Sequence, residues 1–212
     1  MTRSLLAALL LAAAMPGAAA LAQDAEFPAS PQFVAIIRLA QEGRGDSARA
    51  AIAEYLDRTP QSNPLYPEAL YTAATIASSG TDARLLFSRV AVEYSYSDWA
   101  DKALLRLAQL DFGTGDTEGA VNRVRRLMTD YPTSNVLASA ALWGARAAFE
   151  RRDYATACPW IARGIDRAGN DVETRNQLEF MRQRCTAGAI AAAPVTPPAN
   201  AAAPLRTPER RP

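Results

Sequence analysis

The amino-acid sequence predicts an all-α protein, an α-solenoid of stacked helical hairpins. Apolar residues recur at spacings of three and four, as they do along one face of an α-helix. Glycine, aspartate or proline interrupts each apolar stripe and so separates one helix from the next. The complete pattern then returns after 34–37 residues, a period typical of units built from two helices and a turn.

The clearest unit runs from Ala103 to Pro132. Gly115 lies in the turn that separates its two helices. Asp116 is suited to cap the second helix, and Pro132 ends that helix. Each helix carries one apolar stripe. The stripes consist of Leu104, Leu107, Ala108 and Phe112 in the first helix and Ala120, Val124, Leu127 and Tyr131 in the second.

Copies of this unit lie on both sides of it. Downstream, at a distance of 37 residues, Asp153 takes the place of Asp116. Upstream, at the same distance, Tyr94 takes the place of Tyr131. Because matching positions carry matching residue types, we expect the three units to form similar helical hairpins.

A less regular unit precedes these three. Ser30 suits the cap of its first helix and Pro31 the first helical position, and Asp46 is suited to cap its second helix.

A final helix is predicted to begin at Asn170 and Asp171, with polar residues on most of its faces. A half-polar helix of this kind would cover the apolar end of the solenoid. The residues expected on its apolar face are Val172, Leu178, Met181 and Cys185.

The predicted organisation has four segments. They are a signal peptide (1–22), a short linker (23–30), the solenoid (31–185) and an alanine- and proline-rich disordered tail (186–212). Within the solenoid, the units are about 31–62, 66–97, 99–134 and 135–169, followed by the capping helix 170–185.

The first 22 residues have the composition of a secretory signal peptide. Arg3 supplies the positive charge, residues 5–15 are apolar, and residues 20–22 form a small-x-small cleavage site. The apolar run is short for a membrane span of about 20 residues, so cleavage is favoured over an uncleaved anchor. No cysteine directly follows the cleavage site, which argues against a lipid anchor. We therefore predict a periplasmic, soluble, non-lipidated chain without stable membrane insertion.

Two cysteines, Cys158 and Cys185, are present. In an oxidising compartment they are most simply explained as one disulfide, and the alternative is two free buried thiols.

Eight residues of the clearest unit have spacings that resemble those of a tetratricopeptide repeat (TPR). They are Leu107, Ala108, Gly115, Asp116, Ala120, Val124, Leu127 and Pro132. The chain departs from the TPR pattern at Asp111, where an aromatic residue is usual, and Phe112 is expected to compensate. The resemblance covers about residues 31–170.

The linkers at residues 94–98 and 131–135 resemble those of periplasmic TPR proteins. Two proteins similar in style are the outer-membrane β-barrel assembly lipoprotein with these repeats and the cell-division coordinator of the Tol–Pal system. The first of these carries a lipidated cysteine that is missing here.

The resemblance implies that the first helix of each unit lines a concave groove that binds a protein or an extended peptide. Trp143 could anchor such a partner or pack between repeats, and Lys102 is expected to be solvated or to face the groove. The candidate partner-binding residues are Tyr71, Lys102, Arg106, Gln109, Trp143 and Arg146.

The composition argues against several other functions. No histidine is present, so the usual general base and the commonest metal ligand are missing, and we expect no catalytic site, metal ion or cofactor. Lys and Arg number 23 against 22 Asp and Glu, and removal of residues 1–22 takes away one Arg, which leaves a net charge of zero. No nucleic-acid partner is expected at this charge.

The sequence therefore predicts a non-catalytic, exported scaffold for protein–protein interactions in cell-envelope assembly or division. The alternative is an accessory or regulatory subunit of a cell-wall enzyme whose tail contacts peptidoglycan. Residues 206–212 carry three Arg and one Glu, compatible with a weak contact to anionic envelope polymers or with the solubilising end of a linker.

Overall fold

The computed structural model describes residues 30–192, with side chains for residues 30–185. The predicted signal peptide, residues 23–29 and the predicted tail beyond Ala192 lie outside the described residues. Within the described range the chain forms nine α-helices and no strand, which confirms the predicted all-α solenoid. None of these helices is long and apolar enough to span a bilayer.

The helices follow one another with short connections. They are α1 (Pro31–Gln41), α2 (Gly45–Arg58), α3 (Tyr66–Thr75), α4 (Gly80–Glu93), α5 (Ala100–Gly113), α6 (Thr117–Asp130), α7 (Leu137–Glu150), α8 (Tyr154–Arg167) and α9 (Val172–Ala192). The chain divides into two compact units, with the boundary after Val90 in α4.

In the first unit, α1, α2 and α3 pack against one another. Phe33 is fully buried, and its ring meets that of Tyr55 edge-on with 5.0 Å between centroids. Ala48 and Ile52 of α2 and Ala69 of α3 complete this core, so apolar stripes from three helices meet in one cluster.

In the second unit each helix packs against the next, and α7 also contacts both α5 and α9. The odd-numbered helices α5, α7 and α9 therefore lie side by side, as expected for stacked hairpins. The predicted apolar stripes of α5 and α6 are confirmed as core except at their last members, Phe112 and Tyr131, which are only half-buried. Their fully buried members are Leu104, Leu107, Ala108, Ala120, Val124 and Leu127.

Two glycines allow close approach of helices in this unit. A Cβ atom on Gly144 of α7 would lie 2.6 Å from Val124 and 2.7 Å from Trp160. A Cβ atom on Gly164 of α8 would lie 2.6 Å from the Cβ of Ala141. These distances are too short for real carbon contacts, so both positions need glycine for the observed packing.

Aspartate caps begin three of the described helices. The carboxylate of Asp116 accepts a hydrogen bond from the Gly119 N–H at 2.8 Å, which confirms the predicted cap of α6. Asp153 likewise accepts from Thr156 at 3.0 Å, and hydrogen bonds from the Thr156 side chain and N–H lower the pKa of Asp153.

Asp171 caps α9 by accepting from the Thr174 N–H at 2.9 Å. Val172, by contrast, is 63% exposed, so its predicted place on the buried face is wrong. The helix begins at Val172 itself, and the buried stripe starts deeper in the helix with Leu178 and Met181.

Ser30 is the N-cap residue of α1, as predicted, although its side chain makes no capping bond, whereas the predicted cap at Asp46 is wrong. Helix α2 begins at Gly45, so Asp46 already lies inside the first turn, where its carboxylate pairs with Arg49 instead of capping. Ser30 does precede α1, but its N–H and hydroxyl donate to the buried Glu68 carboxylate at 2.6 and 2.7 Å. The Ser30 hydroxyl therefore bonds to Glu68 of α3 and not to a backbone N–H in the first turn of α1.

Asp111, the departure from the TPR pattern, is only 1% exposed. The Nε of Arg123 on α6 donates to its carboxylate at 3.3 Å. A buried carboxylate needs such a partner, so the ion pair accounts for a charged residue at an apolar position. Phe112 is half-buried beside it and does not replace it in the core.

Helix α9 continues to Ala192, beyond the predicted end of the capping helix at Cys185. Residues 186–192 are rich in alanine, the strongest helix former. The described helix therefore includes residues 186–192, which the sequence assigned to the tail.

Candidate interaction surface

The side-by-side helices α5, α7 and α9 leave one row of polar and aromatic side chains outside the core. Within each helix these residues are three or four apart, so they share the helix face that the apolar stripe leaves open. We call this set the odd-helix face. It consists of Arg106, Gln109 and Phe112 on α5, Trp143 and Arg146 on α7, and Gln177, Phe180 and Arg184 on α9.

Trp143 is held between two neighbours. The ring of Phe112 meets it edge-on with centroids 5.7 Å apart, and the Arg146 guanidinium carbon lies 4.8 Å from its centroid. Trp143 is half-buried, so it both packs between α5 and α7 and keeps part of its indole accessible. The two roles proposed from the sequence are compatible with each other.

The polar groups of this face bond to one another through amides. Arg146 donates to the Gln177 side-chain oxygen at 2.7 Å, which links α7 to α9. On α5, Arg106 donates to Gln109 at 3.1 Å. These amide acceptors orient the guanidinium groups without adding negative charge.

Lys102 does not belong to this face, and its predicted solvated or groove-facing position is wrong. The residue is 6% exposed, and its ammonium donates to the backbone oxygen of Asp98 at 2.8 Å. It also lies 3.4 Å from the Asp101 carboxylate, which accepts a hydrogen bond from Ser134 at 2.6 Å. In the first turn of α5, the lysine reaches back to the preceding loop and stabilises it.

Tyr71 belongs to the first unit and so is not part of the odd-helix face as defined here. It is half-buried on α3, and its ring centroid lies 5.2 Å from that of Phe87. This edge-on contact is ordinary packing between aromatic rings.

Sequence reasoning missed the contribution of α9, which it treated only as a cap. Beside α9, where it meets Arg146 of α7, lies a shallow, open concavity of about 600 Å³. It is lined by Arg146, Asn176, Gln177, Phe180, Met181 and Arg184. A second concavity of about 530 Å³ adjoins it and is lined by Asn176, Glu179, Phe180, Arg182 and Gln183. The available sequence signal for this surface was Phe180, an aromatic residue among polar neighbours. In the structure its side chain is 71% exposed.

Cys158 of α8 and Cys185 of α9 form a disulfide, as predicted, with their Cα atoms 5.8 Å apart. The bond ties the helix that carries Phe180 and Arg184 to the hairpin beneath it. The position of these two side chains therefore depends on a covalent link as well as on apolar packing.

Within residues 30–192, no cluster of three or more His, Cys, Asp or Glu side chains could hold a metal ion. The odd-helix face contributes guanidinium, amide and aromatic groups.

Comparison with known proteins identifies the fold. No protein-family model and no curated protein matches the sequence. Among solved structures, the chain is similar to the nearly identical TPR-like repeats of a Podosopora anserina protein assigned as a kinesin light chain. The TM-score is 0.57 at 12% identity, over 76% of this chain and 86% of that one. A single-residue variant of the same repeats gives 0.58 at 12% identity, over the same shares.

A third similar structure is that of MamA, with a TM-score of 0.48, 13% identity and coverage of 73% of this chain and 94% of that one. At this score it carries no argument. The first two similarities support a TPR-like helical repeat fold for this chain.

Proposed function

We propose that this protein is a non-catalytic TPR-like scaffold whose odd-helix face binds a segment of another protein. The carrying observation is the half-buried Trp143, fixed between Phe112 and Arg146. Tryptophan and arginine are enriched among the residues that dominate binding energy at protein interfaces. Their side chains are already oriented here, so binding needs little further ordering.

The absence of histidine from the sequence supports a binding role over catalysis. The face instead combines planar donors, amides and aromatic rings, which suit recognition of a peptide backbone and its side chains.

We further propose that the chain acts in the periplasm, in envelope assembly or division. The signal-like composition of residues 1–22 supports export. The Cys158–Cys185 bond supports it independently, because disulfides persist in oxidising compartments. The resemblance to periplasmic TPR proteins supports the envelope role.

The test is photo-crosslinking in living cells of the source organism. In the full chain, Trp143→p-benzoylphenylalanine is expected to capture a discrete protein, and cell fractionation is expected to place the adduct in the periplasm. The matched control is Arg167→p-benzoylphenylalanine, at an exposed position of α8 away from the odd-helix face.

Equal adducts from both positions, or none from position 143, would overturn the binding proposal. Adducts confined to the cytoplasm would overturn the location. Capture of a cell-wall enzyme as the discrete partner would favour an accessory subunit over an assembly scaffold.

A further inference from the structure

We infer that the concavity beside α9, where it meets Arg146 of α7, is a subsite for an acidic side chain of the bound protein segment. This inference rests on the proposed scaffold function and specifies the chemistry of the partner. We call this concavity the α7–α9 subsite, with the six lining residues given above. Arg146 and Arg184 contact the partner's carboxylate, and Phe180 contacts an apolar side chain next to it.

Arg146 is fixed in place before any ligand binds. Its guanidinium stacks on Trp143 at 4.8 Å and donates to Gln177 at 2.7 Å. A cation–π contact needs no N–H donor, and the bond to Gln177 uses one of the five that the guanidinium carries. Donors at the edge of the group remain for a carboxylate.

Arg184 is held in a similar way on α9. Its guanidinium carbon lies 4.1 Å from the ring centroid of Phe149, which is 3% exposed and therefore immobile. This cation–π contact favours one position of the guanidinium group and uses none of its N–H donors. Both arginines line the same concavity, so the subsite holds two pre-oriented guanidinium groups.

The charge of the subsite favours an anion. Its lining contains two arginines and no carboxylate. Two acidic side chains lie close to this lining, since Glu173 accepts a hydrogen bond from the lining residue Gln177 and Glu179 lines the adjoining concavity with Arg182. Arginine and carboxylate form strong, often bidentate hydrogen bonds, whereas a basic segment would be repelled here.

The remaining lining indicates a peptide in preference to a small free anion. A volume of about 600 Å³ exceeds what one carboxylate fills, and Phe180 and Met181 provide an apolar wall. The amides of Asn176 and Gln177 can both donate to and accept from a peptide backbone. A Glu or Asp followed by an apolar residue matches all of these groups.

The experiment uses the full chain and three synthetic 12-residue peptide pools. Each pool has a central Leu, flanked by Glu in the first pool, Gln in the second and phosphoserine in the third. We expect the Glu pool to bind about tenfold tighter than the Gln pool by fluorescence anisotropy. Raising the salt concentration is expected to weaken only the charged pools.

Arg184→Gln is expected to reduce binding of the Glu pool about tenfold, because one charge-assisted contact is lost. Arg184→Lys should restore only part of it, since an ammonium lacks the planar pair of donors. Arg167→Gln on α8 removes the same charge elsewhere and should leave binding unchanged. Both positions changed are exposed, and circular dichroism melts are expected to match the original protein.

Equal binding of the Glu and Gln pools, or an unchanged Glu pool with Arg184→Gln, would overturn the subsite. Tighter binding of the phosphoserine pool with the same arginine dependence would overturn the carboxylate assignment. If crosslinking at position 143 captures a partner while no pool binds, only the subsite fails. If the Glu pool binds through Arg184 while position 143 captures nothing, only the proposed cellular function fails.

Discussion

The hairpins α5–α6 and α7–α8 have the same helix lengths and lie 37 residues apart in the sequence, but different residues fill their cores. Helix α5 begins at Ala100 and α7 at Leu137, and all four helices have 14 residues. At equivalent positions, the first hairpin has Leu107 where the second has Gly144. The first hairpin thus fills a core position with a side chain, and the second leaves it empty.

The volume missing in the second hairpin is supplied by larger residues elsewhere. Trp160 stands where the first hairpin has Arg123, and its ring occupies the space beside Gly144. Likewise Gly164 stands where the first hairpin has Leu127, and Leu178 of α9 reaches into that space. The repeat therefore constrains total core volume, whereas the distribution of that volume varies between copies.

The polar residues differ in the same way. In the first hairpin, buried Asp111 pairs with Arg123, and buried Lys102 donates to the backbone oxygen of Asp98. In the second, Arg146 lies at the surface and bonds to an amide of α9. The first hairpin therefore directs charged groups inward at Lys102 and Asp111 and also carries Arg106 on the odd-helix face, so one repeat framework accommodates both arrangements.

Removing a core side chain of the first hairpin should have the largest effect. Leu127→Ala deletes a fully buried side chain and is expected to lower the free energy of unfolding by about 2–5 kcal/mol. Urea denaturation measures this change. Val172→Ala, at a position 63% exposed, should change it by less than about 0.5 kcal/mol. Similar losses for both variants would contradict the assigned core.

Removing the Cys158–Cys185 disulfide tests a feature of the second hairpin that the first hairpin lacks. In the chain-entropy model, closure of a loop with a sequence separation of 27 contributes about 3–4 kcal/mol. Replacing Cys158 and Cys185 by Ala should remove this contribution, and hydrogen exchange should rise most in α8 and α9. The original protein under reducing conditions should match the variant, and equal denaturation midpoints for all three samples would refute the contribution.

Adding one methyl group probes the close packing of the second hairpin. Gly144→Ala places a carbon 2.6 Å from Val124 and is expected to cost about 1–3 kcal/mol of unfolding free energy. The control is Gly113→Ala, because nothing lies within 4 Å of a Cβ there. Thermal and urea melts of both proteins check this, and a neutral Gly144→Ala would show that α7 can shift freely.

The helix caps should show the smallest effect and a dependence on pH. Asp153→Ala removes the cap of α8 and is expected to cost about 1 kcal/mol near pH 7. Hydrogen bonds lower the pKa of Asp153 below its ordinary value of 3.8, so its ionised form is favoured by folding. Its contribution is present above pH 3.8 and is lost as pH falls through the lowered pKa. The gap between the two proteins should therefore close in acid, and a gap independent of pH would contradict the cap.

The sequence predicted features that recur, and missed those that depend on contacts between distant elements. The apolar stripes and the caps at Asp116 and Asp153 were predicted because each depends on residues close together in the sequence and recurs in successive units. The position of Lys102 was not found, because its main acceptor is a backbone oxygen that no residue type reveals.

The same limit applies to the candidate site. Trp143 and Arg146 were identified from the resemblance to TPR proteins, which implies that the first helix of each unit lines a groove. The contribution of Arg184 required the knowledge that α9 lies beside α7 and that Phe149 is beneath it. That adjacency arises from tertiary packing and has no counterpart in the local pattern.

The equal lengths of the two hairpins bear on how such a chain can change in evolution. Because α5 to α8 keep one spacing, duplication or loss of a 37-residue segment would preserve the phase of every helix that follows. A new copy would enter the array in register, and its core would need compensating exchanges of volume such as those at Gly144 and Gly164. Natural selection could then act on both its core and its exposed residues, so a lineage could lengthen the solenoid without altering the helices that follow.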